Sequence, residues 1–369
     1  MKNVIQNNKI LIAPLNWGLG HATRCIPVIN ALLQEGFQPV LAGDGDSLEL
    51  LKKEFPQLKS YPLPSYEIRY TKNGKFLKYK LLIDLPGIQK VIKKERLAVE
   101  KIIEKEHISG IISDNRFGVF SDKVPSVYIT HQVNVLSGLT TFFTSKFHQK
   151  IISKYDECWV PDYRGENSLA GKLSQADLPG LNLKYIGPLS RFNNEIPPKE
   201  GRINNIKYDI MVLLSGPEPQ RTLLEEKLLK ELKDYPEKVL FVRGVISDKK
   251  ESELKNTENS NIKIVNYLLQ DELQEAVAGS EIIVSRSGYS TIMDLSAMQA
   301  RAFFIPTPGQ EEQEYLAKYL ERQKTAPFAS QKDFKLDLLE KISKYSGFQS
   351  RNTSEENRNH YPFDIFQRE

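Results

Sequence analysis

Short apolar runs alternate with longer amphipathic stretches along this chain, and this alternation restricts its fold more than any other feature. In the first half, Lys9–Pro14 has the composition of a buried strand, and residues 23–35 carry apolar side chains at helical spacing. The predicted strands that follow are 38–42, 108–113, 124–130 and 157–160 in the first half, and 208–214, 239–243, 262–265, 281–285 and 302–306 in the second. Because strand–helix–strand units occur in both halves, the sequence predicts an α/β protein with two Rossmann-like halves and mostly parallel sheets.

The composition changes between the two halves. Residues 187–206 contain three prolines, two glycines and four asparagines, which is typical of a linker. We therefore expect an N-terminal domain over 1–190, a linker over 191–206 and a C-terminal domain over 207–344. The remaining residues, 345–369, end in an apolar cluster, so we expect this tail to return and pack on the N-terminal domain.

Length and composition exclude several classes of protein. The chain has 369 residues, enough for two or three domains, and its 40% hydrophobic content excludes collagen-like and wholly disordered chains. No run approaches the roughly 18 apolar residues of a membrane-spanning helix. Cys25 and Cys158 provide neither a disulfide framework nor a zinc site, which predicts a cytoplasmic protein. The net charge of +4 is too small to indicate nucleic-acid binding.

The first candidate motif is Gly18-Leu19-Gly20-His21, which lies between the first predicted strand and the first helix. Glycines let a ligand approach the backbone there, and a helix N-terminus favours anions. A dinucleotide site would need a third glycine where Thr23 stands, although Asp44 lies where its acidic residue would be. His21 is instead well placed to act as a general base, with a purely structural histidine as the alternative.

The second candidate motif again follows a predicted strand and begins a helix, and it reads Ser285-Arg286-Ser287-Gly288-Tyr289-Ser290-Thr291. Free N–H groups at residues 288–290 are suited to a diphosphate, and Arg286 supplies a full positive charge. Asp294, one turn further on, is suited to a ribose diol. The alternative is a simple helix cap with an ordinary surface aspartate.

The third candidate motif is the turn after the last predicted strand, which leads into a helix that begins with Glu312 and Gln313. Ligands of open α/β sheets bind at this end of the strands. Carboxylate and amide groups can hydrogen-bond the vicinal hydroxyls of a sugar, so these two residues are candidate sugar ligands. The alternative is a solvated helix start.

These three motifs, in this order, resemble the GT-B superfamily of glycosyltransferases, and the second and third resemble family 28. This family includes the bacterial transferase that adds N-acetylglucosamine to a lipid-linked muramoyl peptide. The resemblance implies two Rossmann-like domains that face each other across a cleft. Gly18 and Gly20 are similar to the acceptor loop, the run that begins at Arg286 is similar to the donor-binding run, and Gln313 and Ala317 match later family positions.

Three departures from the family pattern indicate a relative with another acceptor or another sugar. Asp294 replaces the usual glutamate, and Leu316 stands where the family often has asparagine. The loop after the first C-terminal strand has prolines at 217 and 219, which lack N–H donors. Its remaining candidate phosphate partners are Ser215, Gly216 and Arg221.

The resemblance implies an inverting, metal-independent transfer from a UDP-sugar to a hydroxyl acceptor, with no cofactor besides the donor substrate. In this scheme His21 is the base, and Asp114 is a second candidate base or orients His21. His131, after a predicted strand, is expected to face the acceptor. Asp44-Gly45-Asp46 looks like a metal motif of another glycosyltransferase fold, but a turn and helix cap explain it better.

A basic segment at residues 69–96 contains nine Lys or Arg side chains and two acidic ones, interleaved with aromatic and aliphatic residues. Such a mixture is suited to an anionic membrane surface. By analogy with the family we expect peripheral association with the inner face of the cytoplasmic membrane and an acceptor that is lipid-linked. The alternative is a solvated basic helix with an apolar core face. The aromatic residues fit no nucleic-acid-binding module.

Other functions stay open at this point. A UDP-sugar 2-epimerase of the same fold would form product without an acceptor. A non-catalytic sugar-nucleotide-binding protein would tolerate the loss of His21. A dehydrogenase would bind NAD and depend on Asp44, and it would leave the second motif unexplained.

Overall fold

The computed structural model describes residues 8–66, 85–136, 141–176, 178–192, 207–216, 218–245, 259–349 and 361–367. Four sequence predictions fall partly outside these residues: the linker beyond residue 192, Pro217 of the first C-terminal loop, the part of the basic segment before residue 85, and residues 350–360 and 368–369 of the tail. The described residues form two parallel sheets flanked by helices.

The N-terminal sheet has seven strands in the order β3-β2-β1-β4-β5-β6-β7, all parallel. The strands are β1 (Lys9–Pro14), β2 (Gln38–Gly43), β3 (Ser60–Pro62), β4 (Gly110–Asp114), β5 (Ser126–Ile129), β6 (Glu157–Val160) and β7 (Leu183–Tyr185). Its helices are α1 (Gly20–Gln34), α2 (Gly45–Glu54), α3 (Leu85–Glu106) and α4 (Thr141–Ile152).

The C-terminal sheet has five parallel strands in the order β10-β9-β8-β11-β12. The strands are β8 (Tyr208–Leu213), β9 (Val239–Val242), β10 (Ile262–Val265), β11 (Ser280–Ser285) and β12 (Ala302–Phe304). The helices are α5 (Gln220–Glu231), α6 (Gln270–Ala278), α7 (Tyr289–Ala297) and α8 (Glu311–Arg322), followed by a 3₁₀ segment at Leu336–Lys344. The prediction of an α/β fold with two parallel-sheet halves is confirmed.

The central strands form because they are rich in branched aliphatic residues that bury both faces between helices. In β1, for example, residues 10–13 are wholly buried. The sequence prediction missed β3 and β7, which have only three residues each and lie at the sheet edges. Their side chains are intermediate or exposed, so they lack the apolar run by which a buried strand is recognised.

The strand orders determine where a ligand site can form. In the N-terminal sheet, successive strands are added to one side from β1 to β3 and to the other side from β4 to β7. This reversal lies between the neighbouring strands β1 and β4, where Pro14 pairs with Asp114. In the C-terminal sheet the same change occurs between β8 and β11, where Leu213 pairs with Ser285. Ligands of such sheets bind outside the carboxyl ends of the strands at these points. The first two candidate motifs therefore follow β1 and β11 at the two expected positions.

The C-terminal tail packs on the N-terminal sheet. Its 3₁₀ turn Phe363–Phe366 places the ring of Phe363 5.8 Å from that of Phe37 and 5.8 Å from that of Trp159. At Gly110, the first residue of β4, an added Cβ atom would overlap the ring of Phe366. Burial of these aromatic side chains is the main contribution that stabilises the packing of this segment on the N-terminal domain.

Candidate active site

The two glycine-containing loops meet each other between the domains. Gly18 and Gly216 have φ angles of +74° and +107°, which favour glycine, and a Cβ atom at Gly18 would lie 3.5 Å from the Cα atom of Gly216. The Ser290 hydroxyl, in the first turn of α7, donates a 2.8 Å hydrogen bond to the carbonyl oxygen of Gly20. The structure thus brings together Gly18, Gly20, Gly216 and Ser290, which were predicted from separate motifs.

His21 and Asp114 form a hydrogen-bonded pair at the carboxyl ends of β1 and β4. The His21 Nδ1 atom lies 2.7 Å from Asp114 Oδ1. Burial lowers the pKa of His21, and Arg24 lowers it further, against the opposing effect of Asp114. Burial works to raise the pKa of Asp114, but Arg24 and His21 hold it below its usual value. A neutral His21 that donates from Nδ1 to an ionised Asp114 has a free lone pair on Nε2, which a general base requires.

Arg24 is the part of this site that the sequence analysis did not assign a role. Its side chain is 1% exposed, and its Nε and Nη2 atoms donate to the two carboxylate oxygens of Asp114. Because both oxygens of Asp114 already accept from Arg24, the contacts favour an orienting role for this aspartate over that of a base. The available signal was the position of Arg24: it stands three residues after His21, on a helix that otherwise buries apolar residues.

His131 was expected to face the acceptor, but its contacts give it another position. Its Nδ1 atom lies 3.0 Å from Arg24 Nη1, and its Nε2 atom lies 2.8 Å from Glu312 Oε1. The imidazole also stacks on the Tyr289 ring with centroids 4.3 Å apart. A guanidinium can only donate, so Nδ1 accepts and Nε2 donates to the carboxylate. Both nitrogens are therefore engaged, and neither is available to an acceptor in this arrangement.

Glu312 and Gln313, the predicted sugar ligands, have different surroundings. The Glu312 carboxylate accepts from His131 and from the Gln132 side chain, so it bonds to the opposite domain rather than pointing to an open sugar site. The Gln313 side-chain oxygen accepts from the backbone N–H of Thr307 at 2.8 Å. Its Nε2 atom stays beside Gly288, 3.8 Å from where a Cβ atom would stand there. Gln313 therefore remains next to the α7 N-terminus.

The expectation that Arg286 holds a diphosphate does not fit its contacts. This arginine is 1% exposed, and its guanidinium donates to the carbonyl oxygens of Ile305, Pro306 and Gln220 and to the side chain of Gln331, at 2.7–3.1 Å. Burial lowers its pKa to about 9. The neighbouring Ser287 hydroxyl donates to the Gln313 carbonyl oxygen. Arg286 thus holds the loops after β11 and β12 together, because the buried carbonyls there need donors.

Asp294 and Arg221 also differ from expectation. The Asp294 carboxylate accepts from Ser190 Oγ at 3.1 Å and from Arg191 Nε at 2.9 Å, so in this arrangement it is not open to a ribose. The Arg221 guanidinium, which was expected to bind a phosphate, instead forms ion pairs with the carboxylates of Glu218 and Glu225. Arg191 is a further residue that the sequence analysis did not single out.

A small cavity lies between the domains, next to the two glycine loops. Its volume is about 60 Å³. It is lined by Leu19, Gly20, Thr23, Arg191, Leu213, Leu214, Ser215, Val242, Gly244, Tyr267, Leu268, Leu273, Ser290 and Thr291. Ser215 and Thr291, two predicted donor ligands, therefore face the same cavity as the acceptor loop.

The turn-and-cap interpretation expected the Asp44 side chain to cap α2. Asp44 does stand at the N-cap position, but its side chain makes no capping hydrogen bond. Its Oδ1 atom accepts from Arg116 Nη1 at 2.5 Å, and its Oδ2 atom accepts from Asn16. Arg116 also donates to Glu95 at 2.6 Å, so a buried charge network occupies Asp44. Within the part of the chain that the structure describes, no group of three or more His, Cys, Asp or Glu side chains has the geometry of a metal site.

Comparisons with known proteins bear on the whole chain. Residues 219–363 match the glycosyltransferase family 28 C-terminal domain. The UDP-N-acetylglucosamine--N-acetylmuramyl-(pentapeptide) pyrophosphoryl-undecaprenol N-acetylglucosamine transferase of Haemophilus influenzae is 24% identical over 344 residues, which cover 91% of this chain and 89% of the relative. The enzyme of the same name from Buchnera aphidicola is 26% identical over 225 residues, 60% of this chain and 57% of the relative. The solved structure of the spinosyn rhamnosyltransferase SpnG aligns with a TM-score of 0.62 at 12% identity, covering 92% of this chain and 93% of SpnG. These findings confirm the resemblance that the motifs indicated.

Proposed function

We propose that this chain, which is a family 28-like glycosyltransferase of the GT-B fold, moves a hexosyl or N-acetylhexosaminyl group from a UDP-sugar to a hydroxyl acceptor. The observation that carries the proposal is the direct connection between the two halves of the site. The residue before His21 accepts a hydrogen bond from Ser290 at the start of α7. A base and a helix N-terminus suited to a diphosphate therefore lie side by side.

The proposed reaction is a single displacement with inversion and without a metal ion. His21 Nε2 takes the proton of the acceptor hydroxyl as its oxygen forms a bond to the anomeric carbon. The bond from that carbon to the diphosphate breaks on the opposite face, and UDP leaves with the electron pair. The N-terminus of α7, the backbone at Ser215 and Gly216, and Arg191 at the cavity wall are proposed to compensate the charge of the diphosphate.

Donor binding is proposed to require an opening of the cleft. Pockets for ligands of this size usually have roughly 300–1,000 Å³. The cavity between the domains has about 60 Å³. Arg191 must also be shared between Asp294 and the diphosphate, since it is paired with Asp294 here. We therefore expect the domains to separate before a UDP-sugar binds and to close around it afterwards.

The acceptor is proposed to be lipid-linked, with the enzyme bound peripherally to the inner face of the cytoplasmic membrane. Helix α4 presents Phe142 and Phe143 to solvent at 66% and 73% exposure, and Phe147 is exposed beside them. Lys146 and Lys150 are exposed on the same helix. Such an apolar and basic surface is suited to anionic lipids. None of the described helices has the length and apolarity of a membrane span.

The test combines calorimetric titration with UDP, UDP-N-acetylglucosamine, GDP and NAD and an assay for UDP release with candidate acceptors. His21→Asn is compared with His107→Asn, the same change at an exposed histidine of the N-terminal domain. We expect UDP binding in all three proteins, and a loss of acceptor-dependent UDP release of about 10²–10⁴-fold in His21→Asn only. An altered UDP-hexosamine formed without acceptor would indicate the epimerase. Binding of NAD alone, or full activity of His21→Asn, would refute the proposal.

A further inference from the structure

We propose that Arg24 is a positioning residue that holds Asp114 against His21 and, through His131, connects this pair to Glu312 of the opposite domain, so that closing the cleft completes the arrangement of the base. The inference rests on the proposed function for the role of His21. It adds a regulation of that site by domain closure.

The burial of Arg24 is the first argument. A buried guanidinium is costly unless its N–H groups are matched by acceptors. The Nε and Nη2 groups of Arg24 donate to the two oxygens of Asp114, and Nη1 donates to His131 Nδ1 at 3.0 Å. All three of these groups therefore serve residues of the site rather than the core around α1.

The second argument is that these contacts fix the protons of two histidines in opposite ways. His21 Nδ1 lies 2.7 Å from Asp114 Oδ1, so it donates and leaves Nε2 unprotonated. His131 Nδ1 faces a guanidinium that can only donate, so its proton sits on Nε2 and points to Glu312. Arg24 lies against both imidazoles. Its Nη2 atom is 2.9 Å from His21 Nδ1 but donates to Asp114 Oδ1, and the carboxylate, which can only accept, takes the Nδ1 proton of His21.

The third argument is that the far end of this chain of contacts belongs to the other domain. His131 follows β5, whereas Glu312 lies in the first turn of α8 and Tyr289, which stacks on the His131 ring, begins α7. Separation of the domains would remove Glu312 and Tyr289 from His131 and leave it only its contact with Arg24. Its Nε2 proton would lose its acceptor, and the acceptor of Arg24 Nη1 would lose its fixed orientation. An open cleft would therefore leave the His21–Asp114 pair less firmly held.

The charged and titratable groups around His21 give the expected sign of the effect. They are Asp114, Arg24, Cys25, His131 and Glu312. Replacing Arg24 with a neutral residue removes a neighbouring positive charge and frees both oxygens of Asp114 from the guanidinium. Both changes favour the protonated imidazole, so the pKa of His21 should rise and the base should be blocked at a higher pH than in the native protein.

The experiment is histidine-selective NMR of the full chain, which has five histidines that single His→Gln variants assign. In the native protein we expect the neutral His21 imidazole to carry its proton on Nδ1, and the His131 proton that faces Glu312 to sit on Nε2. Arg24→Met should raise the pKa of His21 by about one unit or more, and Arg24→Lys, which keeps the charge, should restore most of the native value. UDP titration and thermal unfolding show whether each variant is folded.

The link to the other domain is tested from its far side. Glu312→Ala should remove the acceptor of the His131 Nε2 proton, and so shift the Nε2 resonance and speed the exchange of this proton with water. Glu311→Ala, the same change on the neighbouring residue of α8, should leave both unchanged. An unchanged His21 pKa in Arg24→Met, or an unchanged His131 Nε2 resonance in Glu312→Ala, would overturn the proposal. These signatures do not require UDP binding, so a failure of the proposed function is recognised separately by the titrations.

Discussion

The first and second candidate motifs of this protein occupy equivalent positions, after β1 and after β11, but their polar side chains are arranged differently. In the N-terminal region His21, Arg24, Asp114 and His131 converge on one another at the strand ends. In the C-terminal region Arg286 turns under its own loop to bond backbone carbonyls. The difference agrees with the proposed function, in which side chains of the first region act as the base and its support, and backbone N–H groups at a helix N-terminus bind the donor.

The largest effect should follow from Asp114→Asn. The substitution leaves Arg24 as a buried cation without a carboxylate, which costs about 3–5 kcal/mol of unfolding free energy. It also removes the charge that orients His21, so we expect acceptor-dependent UDP release to fall by about 10²–10⁴-fold. Denaturant unfolding and the release assay measure the two losses.

The double variant Arg24→Met/Asp114→Asn sharpens this comparison. Removing both charges should recover much of the lost stability, because no buried charge is then unpaired, but it should not recover activity. If the double variant regains activity together with stability, the N-terminal cluster acts through the fold rather than through the chemistry.

The sequence predicted where the candidate motifs stand in the fold much better than how their side chains are arranged. Apolar runs predict the positions of the strands, and parallel strands have their carboxyl ends at one edge of the sheet. The first two motifs were therefore expected at that edge, where the strand order reverses between β1 and β4 and between β8 and β11. The direction of a side chain depends on partners distant in sequence. Asp294, for example, pairs with Arg191, 103 residues away. No local pattern indicates such a pairing.

A fall in pH should lower the stability of the N-terminal region more than that of the C-terminal region. The N-terminal region buries His131 and His148 and half-buries His21, whereas residues 207–344 contain no histidine. Burial lowers the pKa of His148 to about 4, and His131 lowers it further, against the opposing effect of the hydrogen bond to the Gln132 carbonyl oxygen. Between pH 6.5 and about 4 the unfolded chain binds a proton that the folded one does not, so up to about 3 kcal/mol of stability should be lost as the pH falls.

The measurement is the unfolding free energy as a function of pH for His148→Gln, with His107→Gln at an exposed site as the control. The His148 variant should lose part of the decline below pH 6.5, and the control should keep it. Equal curves for both variants would mean that the acid sensitivity arises elsewhere.

Arg286→Met should separate stability from ligand binding in the C-terminal region. Its four hydrogen bonds go to carbonyl oxygens and to the Gln331 side chain, so the substitution should cost about 2–3 kcal/mol of stability by leaving buried acceptors unpaired. The affinity for UDP should change by less than about threefold, which is under 1 kcal/mol. A large loss of UDP affinity at unchanged stability would instead support the phosphate role that the motif suggested.

The smallest expected effect concerns the outer surface of the two domains. Phe142→Ser with Phe143→Ser should weaken sedimentation with anionic phosphatidylglycerol vesicles by about tenfold, because two exposed rings no longer enter the interface. Leu223→Ser, at an exposed leucine of α5 in the C-terminal domain, is the matched control and should bind as the native protein does. Added salt should weaken binding further, since Lys146 and Lys150 lie on the same helix. Equal binding by all three proteins would exclude α4 as the membrane surface. The N-terminal and C-terminal domains would then not differ in membrane binding through these two helices.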